Sequence, residues 1–411
     1  MELFWISPFL LLLGAIAVVP LLCKHWWERN FAFVALSPAV FVAVHYFQVG
    51  HAAGLLHAGL EYFSFICLIG SLFVVSGGIH ITVKGEATPL VNSVFLLAGA
   101  VLANVLGTTG ASMVLIRPWI RMNKYRLTAY HIVFFIFIVS NIGGALTPIG
   151  DPPLFLGYLR GIPFFWTIQH AWPVWLFSLA ALTSVFYILD RRNFRRAPAG
   201  VRRRETAHEE WRFLGVRNLL FLALIVGAVF IRHPRFMREA VMLAAACLSY
   251  LTTSKHVHES NNFSFGPIRE VAILFAGIFI TMIPALEWLE ANAGRIGITT
   301  AGQFYWGTGL LSSILDNAPT YLNFLSTARG LSGDPSVANL LAGHSDIVLA
   351  ISVASVFFGA VTYIGNGPNF LVKSIANQAK VRMPGFFGFL FRYSLPFLLP
   401  VFLMVWFIFF R

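Results

Sequence analysis

The chain is dominated by apolar segments that are long enough to cross a lipid bilayer. Hydrophobic residues make up 58% of its 411 residues, and charged residues only 11%. A membrane-spanning helix needs about 20 apolar residues in succession. The segments of this kind are 3–22, 31–49, 61–83, 89–116, 128–160 and 166–189, then 217–232, 237–253, 267–290, 298–328, 345–372 and 386–410. The sequence therefore predicts an all-α polytopic membrane protein whose main partner is the lipid bilayer.

Two of these segments carry the same interruption. The windows IGDPPLFL, from Ile149, and IGNGPNFL, from Ile364, share Ile, Gly, Pro, Phe and Leu. Proline removes a backbone donor and glycine tolerates non-helical dihedral angles, so both segments should break. In lipid the freed backbone groups must face protein or a water-filled cavity. The predicted helix-break residues are Gly150, Pro152, Pro153, Gly365, Gly367, Pro368 and, in another segment, Pro319.

Segments 89–116 and 298–328 also have glycine or proline at their centres, and we interpret each as a re-entrant helical hairpin. With hairpins there, most of the 29 basic residues fall on one side of the membrane, together with the arginine-rich stretch 190–217. The positive-inside rule makes that side cytoplasmic. If 89–116 crossed the membrane instead, Lys84 and the arginine-rich stretch would lie on opposite faces. The net charge of +12 thus indicates membrane topology rather than a nucleic-acid partner.

The chain then divides into two halves with matching elements. Residues 1–189 form the first repeat, with hairpin 89–116 and broken helix 128–160; residues 190–217 form a basic cytoplasmic linker. Residues 218–411 form the second repeat, with hairpin 298–328 and broken helix 345–372. An odd number of spans per half gives the two repeats inverted topology. Inverted repeats with paired interruptions are typical of transporters, which bind substrate near the bilayer midplane.

Asp151 and Asp316 are acids in the middle of apolar segments and beside helix breaks. An ionisable group at that depth is costly and marks a functional site by default. A carboxylate there can hold a proton or a metal ion but not both, so both acids are predicted to bind sodium. For Asp151 an alternative is that its carboxylate caps a half-helix.

Five polar residues beside the breaks are further candidates for binding the ion or substrate. Amide and hydroxyl oxygens suit a small hard cation, although amides at a broken helix can equally satisfy free backbone groups. These candidates are Asn317, Asn141, Asn366, Thr108 and Thr109.

Other features exclude other classes of protein. Cys23, Cys67 and Cys247 have no disulfide or metal spacing and are expected to be buried, while Glu61 near a segment end is expected to be solvated. The motifs HExxH and GxSxG are absent from the sequence, so the chain is not predicted to be an enzyme. No cofactor is predicted beyond a transported or coupling sodium ion and proton.

The motifs NIGGALTPIGDPP, SSILDNAPT and YIGNGPNFL resemble those of the ion transporter superfamily, in the neighbourhood of arsenite permeases and NhaD-type sodium–proton antiporters. Citrate-transporter-like proteins are among these relatives. The resemblance implies a homodimer in the bacterial inner membrane that works by an elevator movement. It also implies polar-site roles for Asp151 and for the pair Asp316–Asn317. Relatives often have an Asp-Asn pair in the first hairpin, where this chain has Gly107-Thr108.

Two functions follow from these residues. The first is a sodium (or lithium)/proton antiporter that uses the embedded carboxylates. The alternative is a sodium-coupled transporter of citrate, another carboxylate or an arsenite-like oxyanion, which the Gly-Thr-Thr-Gly tip at 107–110 would suit. The transported substrate is therefore a small inorganic cation or a small carboxylate. The substrate, stoichiometry, direction of transport and oligomeric state are not determined by the residues alone.

Overall fold

The computed structural model describes residues 2–82, 87–196, 212–231, 233–234, 236–333 and 336–411. The helices of the first half are α1 (Glu2–Leu22), α2 (Lys24–Gln48), α3 (Ala52–Gly77), α4 (Pro89–Met122), α5 (Ala129–Ile138), α6 (Pro152–Leu159) and α7 (Trp166–Arg196). Those of the second half are α8 (Asn218–Ala228), α9 (Met237–Thr252), α10 (Lys255–Ser260), α11 (Gly266–Thr281), α12 (Ile283–Ile296), α13 (Ala301–Ser312), α14 (Asn317–Ser332), α15 (Val337–Gly343), α16 (Ser345–Phe358), α17 (Gly367–Gln378) and α18 (Phe386–Phe410). Parts of α18 are π-helical.

The predicted polytopic all-helical fold is confirmed. Seven helices of the described residues are long and apolar enough to cross a membrane, and two bent pairs raise that number to nine. The boundaries differ from the prediction in places. The segment 217–232 forms only the short helix α8, and 267–290 is bent by 44° between α11 and α12. The inverted orientation of the two halves stays a prediction.

The chain reverses direction within α4. Gly107 has φ 73° and ψ 156°, a backbone conformation that glycine adopts without steric cost. The Asn92 Nδ2 atom donates to Asn123 Oδ1 at 2.8 Å, although the two residues are 31 positions apart. A straight helix would separate them by about 45 Å. The two arms therefore lie side by side as the predicted hairpin, and the second arm continues to Met122 rather than ending at 116.

A second hairpin is formed by α13 and α14. The rings of Phe304 and Phe324 lie 6.2 Å apart, centroid to centroid, across the two arms. Thr300 begins the first arm with a reciprocal capping bond to Gln303. The arms run from Ala301 to Ser332, so the hairpin begins three residues and ends four residues later than the predicted 298–328. Entry and exit of both hairpins on one membrane face stay predictions.

Both predicted broken helices are present. In the first, α5 leads into a 3₁₀ turn (Ile142–Leu146), and the helix resumes as α6. In the second, α16 leads into a 3₁₀ turn (Gly359–Val361), and the helix resumes as α17. Every residue of α5 from His131 to Ile138 is buried, so this half-helix lies at the centre of the protein.

The polar linker contributes one element that the sequence did not predict. Strand β1 (His80–Thr82) follows α3 and pairs antiparallel with β2 (Arg212–Leu214). Of the predicted linker 190–217, its first residues extend α7 to Arg196, and residues 197–211 lie outside the described residues. Its cytoplasmic location stays a prediction.

The prediction for the cysteines is correct for one residue and wrong for two. All three thiols are free, and Cys67 is buried, but Cys23 and Cys247 are exposed. Both lie at or in predicted spanning segments, where exposure to lipid rather than burial in protein satisfies an apolar side chain.

Candidate functional site

Three half-helices begin around one point in the protein interior. They are α6, α14 and α17, and the residues immediately before them are Asp151, Asp316 and Asn366. All three have extended backbone dihedral angles, as residues at the start of a helix do. Since helix N-termini carry partial positive charge, this point favours a negatively charged group.

The Asp151 carboxylate occupies this point and is 1% exposed. Its Oδ1 atom accepts hydrogen bonds from Thr108 Oγ1 at 2.5 Å and Asn366 Nδ2 at 3.2 Å. Its Oδ2 atom accepts one from Asn317 Nδ2 at 3.0 Å. The first hairpin, the second hairpin and the second broken helix thus each donate to an acid on the first broken helix.

The alternative role of Asp151 as a helix cap does not hold. Within the described part of the chain its carboxylate makes no capping bond to the backbone of α6. Asp316 has the capping role instead, because its Oδ1 accepts from the Ala318 backbone N–H at 3.0 Å. Asp316 is partly exposed and lies close enough to Asp151 for their charges to interact. The structure therefore brings the two acids together but gives them different partners.

The predicted asparagines form a chain of amides. Asn366 Nδ2 lies 3.1 Å from Asn141 Oδ1, and Asn141 Nδ2 donates to Asn369 Oδ1 at 2.7 Å. Asn369 in turn donates to the backbone oxygens of Gly359 (2.7 Å) and Thr362 (2.9 Å). Asn141 and Asn369 thus hold Asn366 in place while satisfying freed backbone groups. Binding of an ion or substrate by these amides stays a prediction.

Ser312 orients the remaining amide of the site. Its single Oγ–H has two acceptors, Asn317 Oδ1 at 2.7 Å and the Ser355 backbone oxygen at 2.6 Å, and the bond to Asn317 Oδ1 directs the Asn317 Nδ2 donor at Asp151. Ser312 and Asn369 were both missed at the sequence level. A signal for Asn369 existed, because this polar residue stands where the first repeat has Leu154.

The predicted helix-break residues play two different roles. Gly150 and Gly365 lie in the non-helical stretches, where a Cβ on Gly365 would lie 2.9 Å from the Gly359 oxygen. Five others lie in the first turns of α6, α17 and α14, so they begin the resumed helices and do not form the break. A proline there lacks only a donor that would have no helical partner. These five residues are Pro152, Pro153, Gly367, Pro368 and Pro319.

The two breaks are built alike. Thr147 Oγ1 donates to the Asn104 oxygen at 2.6 Å and accepts from the Gly150 N–H at 3.0 Å. In the second half Thr362 Oγ1 donates to the Ser313 oxygen at 2.6 Å and accepts from the Gly365 N–H at 3.1 Å. Equivalent positions in the two halves therefore make equivalent bonds from hairpin to break.

A small cavity lies beside Asp151. It has a volume of about 30 Å³, and its lining includes Thr108, Thr109, Gly150 and Asp151. This volume accommodates about one water molecule or one ion of similar size. None of the described side chains that bond to Asp151 is cationic. The site therefore offers a buried negative charge, oxygen ligands and room for a single small cation.

Charged residues that the sequence analysis did not pair form clusters elsewhere. Glu61 is 7% exposed and accepts two bonds from Arg160, at 3.1 and 3.0 Å, so its predicted solvation is wrong. The cause lies in the tertiary structure, because the turn after α6 places Arg160 against Glu61 on α3. Asp190, buried completely, pairs with Arg126 and accepts from His131 at 3.0 Å.

The fold and the site together define a polytopic membrane protein with broken helices meeting at a buried polar centre, the class of membrane transporters. The family described as "Putative citrate transport" matches residues 1–410, and the chain belongs to this family of the ion transporter superfamily.

Curated relatives agree with this class. The chain is 27% identical over 321 residues to a 46 kDa membrane protein of Mycobacterium leprae, which covers 72% of each chain. It is also similar to two uncharacterized transporters of Mycobacterium tuberculosis. One is 25% identical over 358 residues, covering 78% of this chain and 80% of the relative. The other is 25% identical over 389 residues, covering 85% of this chain and 86% of the relative.

Glycine packing at the site leads to a first testable prediction. A Cβ at Gly359 would overlap the Asn317 side-chain amide, so Gly359→Ala should displace a donor of Asp151. Overpacking of this kind costs about 1–3 kcal/mol, so we expect transport per folded molecule to fall about tenfold. The measurement is initial uptake in vesicles, normalised to folded protein.

Gly367→Ala is the matched control, since no atom lies within 4 Å of its added Cβ. We expect transport by this variant to stay within about twofold of the parent protein. Equal losses in both variants would contradict the role assigned to the Asn317 amide.

Proposed function

We propose that this protein is a secondary active transporter that exchanges sodium or lithium ions for protons, and that Asp151 holds one or the other. The observation that carries the proposal is a completely buried carboxylate beside a cavity of about 30 Å³ at the meeting point of three half-helices. A dehydrated sodium ion and a proton both suit that space, and their binding to one carboxylate is mutually exclusive. Competition at a single site is sufficient to couple the two movements.

The polar groups around Asp151 can bind a cation once its two asparagine partners change orientation. Asn317 and Asn366 now direct their Nδ2 donors at Asp151. Rotation of either amide by 180° about its last bond would direct an oxygen at the cavity, where a small hard cation prefers oxygen ligands. Thr108 and the Gly150 carbonyl supply two more oxygens. Asp316 lies nearby as a second negative charge.

The movement that exposes the site alternately to each side is also part of the proposal. The two hairpins pack on the broken helices, with α14 against α6 and α17 against α4, so these elements can move as one body. Helices α1, α2 and α11 pack on one another and supply a separate surface for the movement. An elevator movement within a homodimer in the bacterial inner membrane, with the arginine-rich linker cytoplasmic, is the arrangement that we propose.

A second candidate is coupled transport of citrate or another small carboxylate, and the description of the family favours it. Protonation of Asp151 would weaken its bonds to the donors of Thr108, Asn317 and Asn366, which a substrate could then compete for. Amide and hydroxyl donors at half-helix N-termini can bind a substrate carboxylate. The cavity of about 30 Å³ would have to widen for such a substrate. An oxyanion would use the same donors.

Transport in proteoliposomes separates the two candidates. When sodium or lithium is added outside, an antiporter changes the pH of the lumen. A trapped pH-sensitive dye reports this change. A carboxylate carrier accumulates labelled citrate instead. Sodium-driven proton movement without citrate uptake supports the proposal, and sodium-dependent citrate uptake without a proton signal overturns it. Empty liposomes and liposomes with Asp151→Asn serve as controls.

A further inference from the structure

A second and larger cavity lies close to the candidate site. It has a volume of about 500 Å³ and lies among α3, α6 and the start of α9. Its described lining includes Ser64 on α3, Tyr158 on α6, and Arg238 and Glu239 on α9. The site and the two candidate functions make no use of this cavity.

Its polar residues form a compact cluster. Glu239 is 4% exposed, and its Oε1 atom accepts hydrogen bonds from Ser64 Oγ and from Arg238 Nη2, both at 2.6 Å. Arg238 Nη2 also donates to Ser64 Oγ at 3.0 Å. Charged groups inside a membrane protein line water-filled cavities or ion routes, because contact with lipid is costly.

The two cavities have the same two helices as walls. On α3, Ser64 lines the larger cavity, while Leu68 and Leu72 line the one beside Asp151. On α6, Tyr158 lines the larger cavity and Phe155 the smaller. Residues three or four apart on a helix lie above one another, about 5 Å along its axis.

About one helical turn of apolar side chains therefore separates the cavities. Leu68 and Phe155 are the lining residues of the smaller cavity that stand nearest to Ser64 and Tyr158 along their helices, and each is 1% exposed. The two cavities are lined by successive turns of α3 and of α6, and these two side chains lie between them.

We infer that the two cavities join along α3 and α6 into the route by which a cation reaches Asp151 from one side of the membrane, with Leu68 and Phe155 as its closed gate and Glu239 as the carboxylate that offsets the Arg238 charge at its mouth. The inference rests on the proposed function, since it assigns a path to the same site. In the predicted orientation the mouth lies on the face opposite the cytoplasm. The gate is apolar, so it excludes water and ions while it is closed.

Thiol accessibility tests the route without depending on the transported substrate. In the full-length protein with Cys23, Cys67 and Cys247 replaced by alanine, Ser64→Cys places a thiol at the mouth and Leu72→Cys places one behind the gate. Gly59→Cys, exposed and with no atom within 4 Å of its Cβ, is the control on the outer surface of α3. A charged methanethiosulfonate is added to oriented proteoliposomes, and modification is followed by mass spectrometry.

We expect the Ser64→Cys thiol to react from the Arg238 side only, and the Leu72→Cys thiol to react slowly. Adding Leu68→Ala should speed the Leu72→Cys reaction about tenfold, since a smaller side chain opens the gate. The Gly59→Cys rate should not change with Leu68→Ala. An unchanged Leu72→Cys rate would overturn the route. If Leu68→Ala speeds the labelling but the protein does not exchange sodium for protons, the route is supported and the proposed transported ions are wrong.

The mouth carboxylate is tested by kinetics. Glu239→Gln should raise the KM for sodium several-fold at low ionic strength and leave the maximal rate unchanged, because it leaves the Arg238 charge at the mouth uncompensated and so lowers the local cation concentration. Glu28→Gln removes an equal charge from an exposed pair with Lys24 at the start of α2, away from the mouth, and it should leave KM unchanged. High salt should reduce the Glu239→Gln effect. Equal KM values for both variants would reject the role of Glu239.

Discussion

Asp151→Asn is expected to abolish coupled transport while the protein still folds. An amide has nearly the same size, and its oxygen can still accept from Thr108 and Asn366, while its NH2 group meets the Asn317 amide, which would have to turn its oxygen toward it. An amide cannot exchange a proton for a cation. The substitution also removes the only charge, among the described residues, that accepts hydrogen bonds from both hairpins and from the second broken helix. Loss of a buried charge that pairs with a cation costs about 3 kcal/mol or more, so the rate should fall by about a hundredfold or more. The measurement is initial sodium-driven proton flux, with labelled-citrate uptake in parallel.

Two matched variants control this result. Asp346→Asn removes an exposed carboxylate from the first turn of α16 and should leave transport within about twofold. Asp316→Asn removes the neighbouring negative charge but keeps the cap, because asparagine caps helices as well as aspartate does. We expect Asp316→Asn to reduce transport less than Asp151→Asn does. An active Asp151→Asn protein beside an inactive Asp316→Asn protein would move the coupling site to the second hairpin.

Asp190→Leu is expected to have the largest effect on stability. Asp190 is completely buried and accepts bonds from Arg126, Tyr130 and His131, as well as one from Asn92 at 2.9 Å. Its loss leaves the buried Arg126 guanidinium without a carboxylate partner, with the Ala87 backbone oxygen and the rings of Tyr125 and Phe194 among its remaining described neighbours. Breaking a buried ion pair on one side costs about 3–5 kcal/mol. Thermal unfolding in detergent, at matched protein concentration, measures the loss.

The cluster around Asp190 ties the hairpin to its neighbours. Asn92 and Asn123 lie near the two ends of α4, and Asn92 connects them to Asp190 on α7. The double variant Asp190→Leu, Arg126→Met should recover part of the stability, because replacing both charges with apolar groups removes the desolvation cost. Glu28→Gln, in an exposed pair with Lys24, should change stability by no more than about 0.5 kcal/mol. A double variant as unstable as the single one would contradict an ion-pair origin.

Much of the architecture follows from the sequence because its causes are local. A run of about 20 apolar residues avoids water whatever surrounds it, and this alone predicts the spanning helices. Glycine and proline restrict the backbone at their own positions, which is why the turn at Gly107 and the breaks before Asp151 and Asn366 were predictable. The position of Asp151 in mid-segment similarly marked it as a costly and informative acid.

The tertiary structure alone decided which acid meets the other polar groups. Both acids stand before a half-helix, yet Asp316 caps its own helix and Asp151 bonds to three other elements. The same holds for Asn369 and for the pairing of Arg126 with Asp190, 64 residues apart. Contacts of this kind depend on the rotation of each helix about its axis and on the angle at which helices cross. Those quantities are set by packing among segments that are distant in the chain. The local sequence around each residue therefore does not determine them.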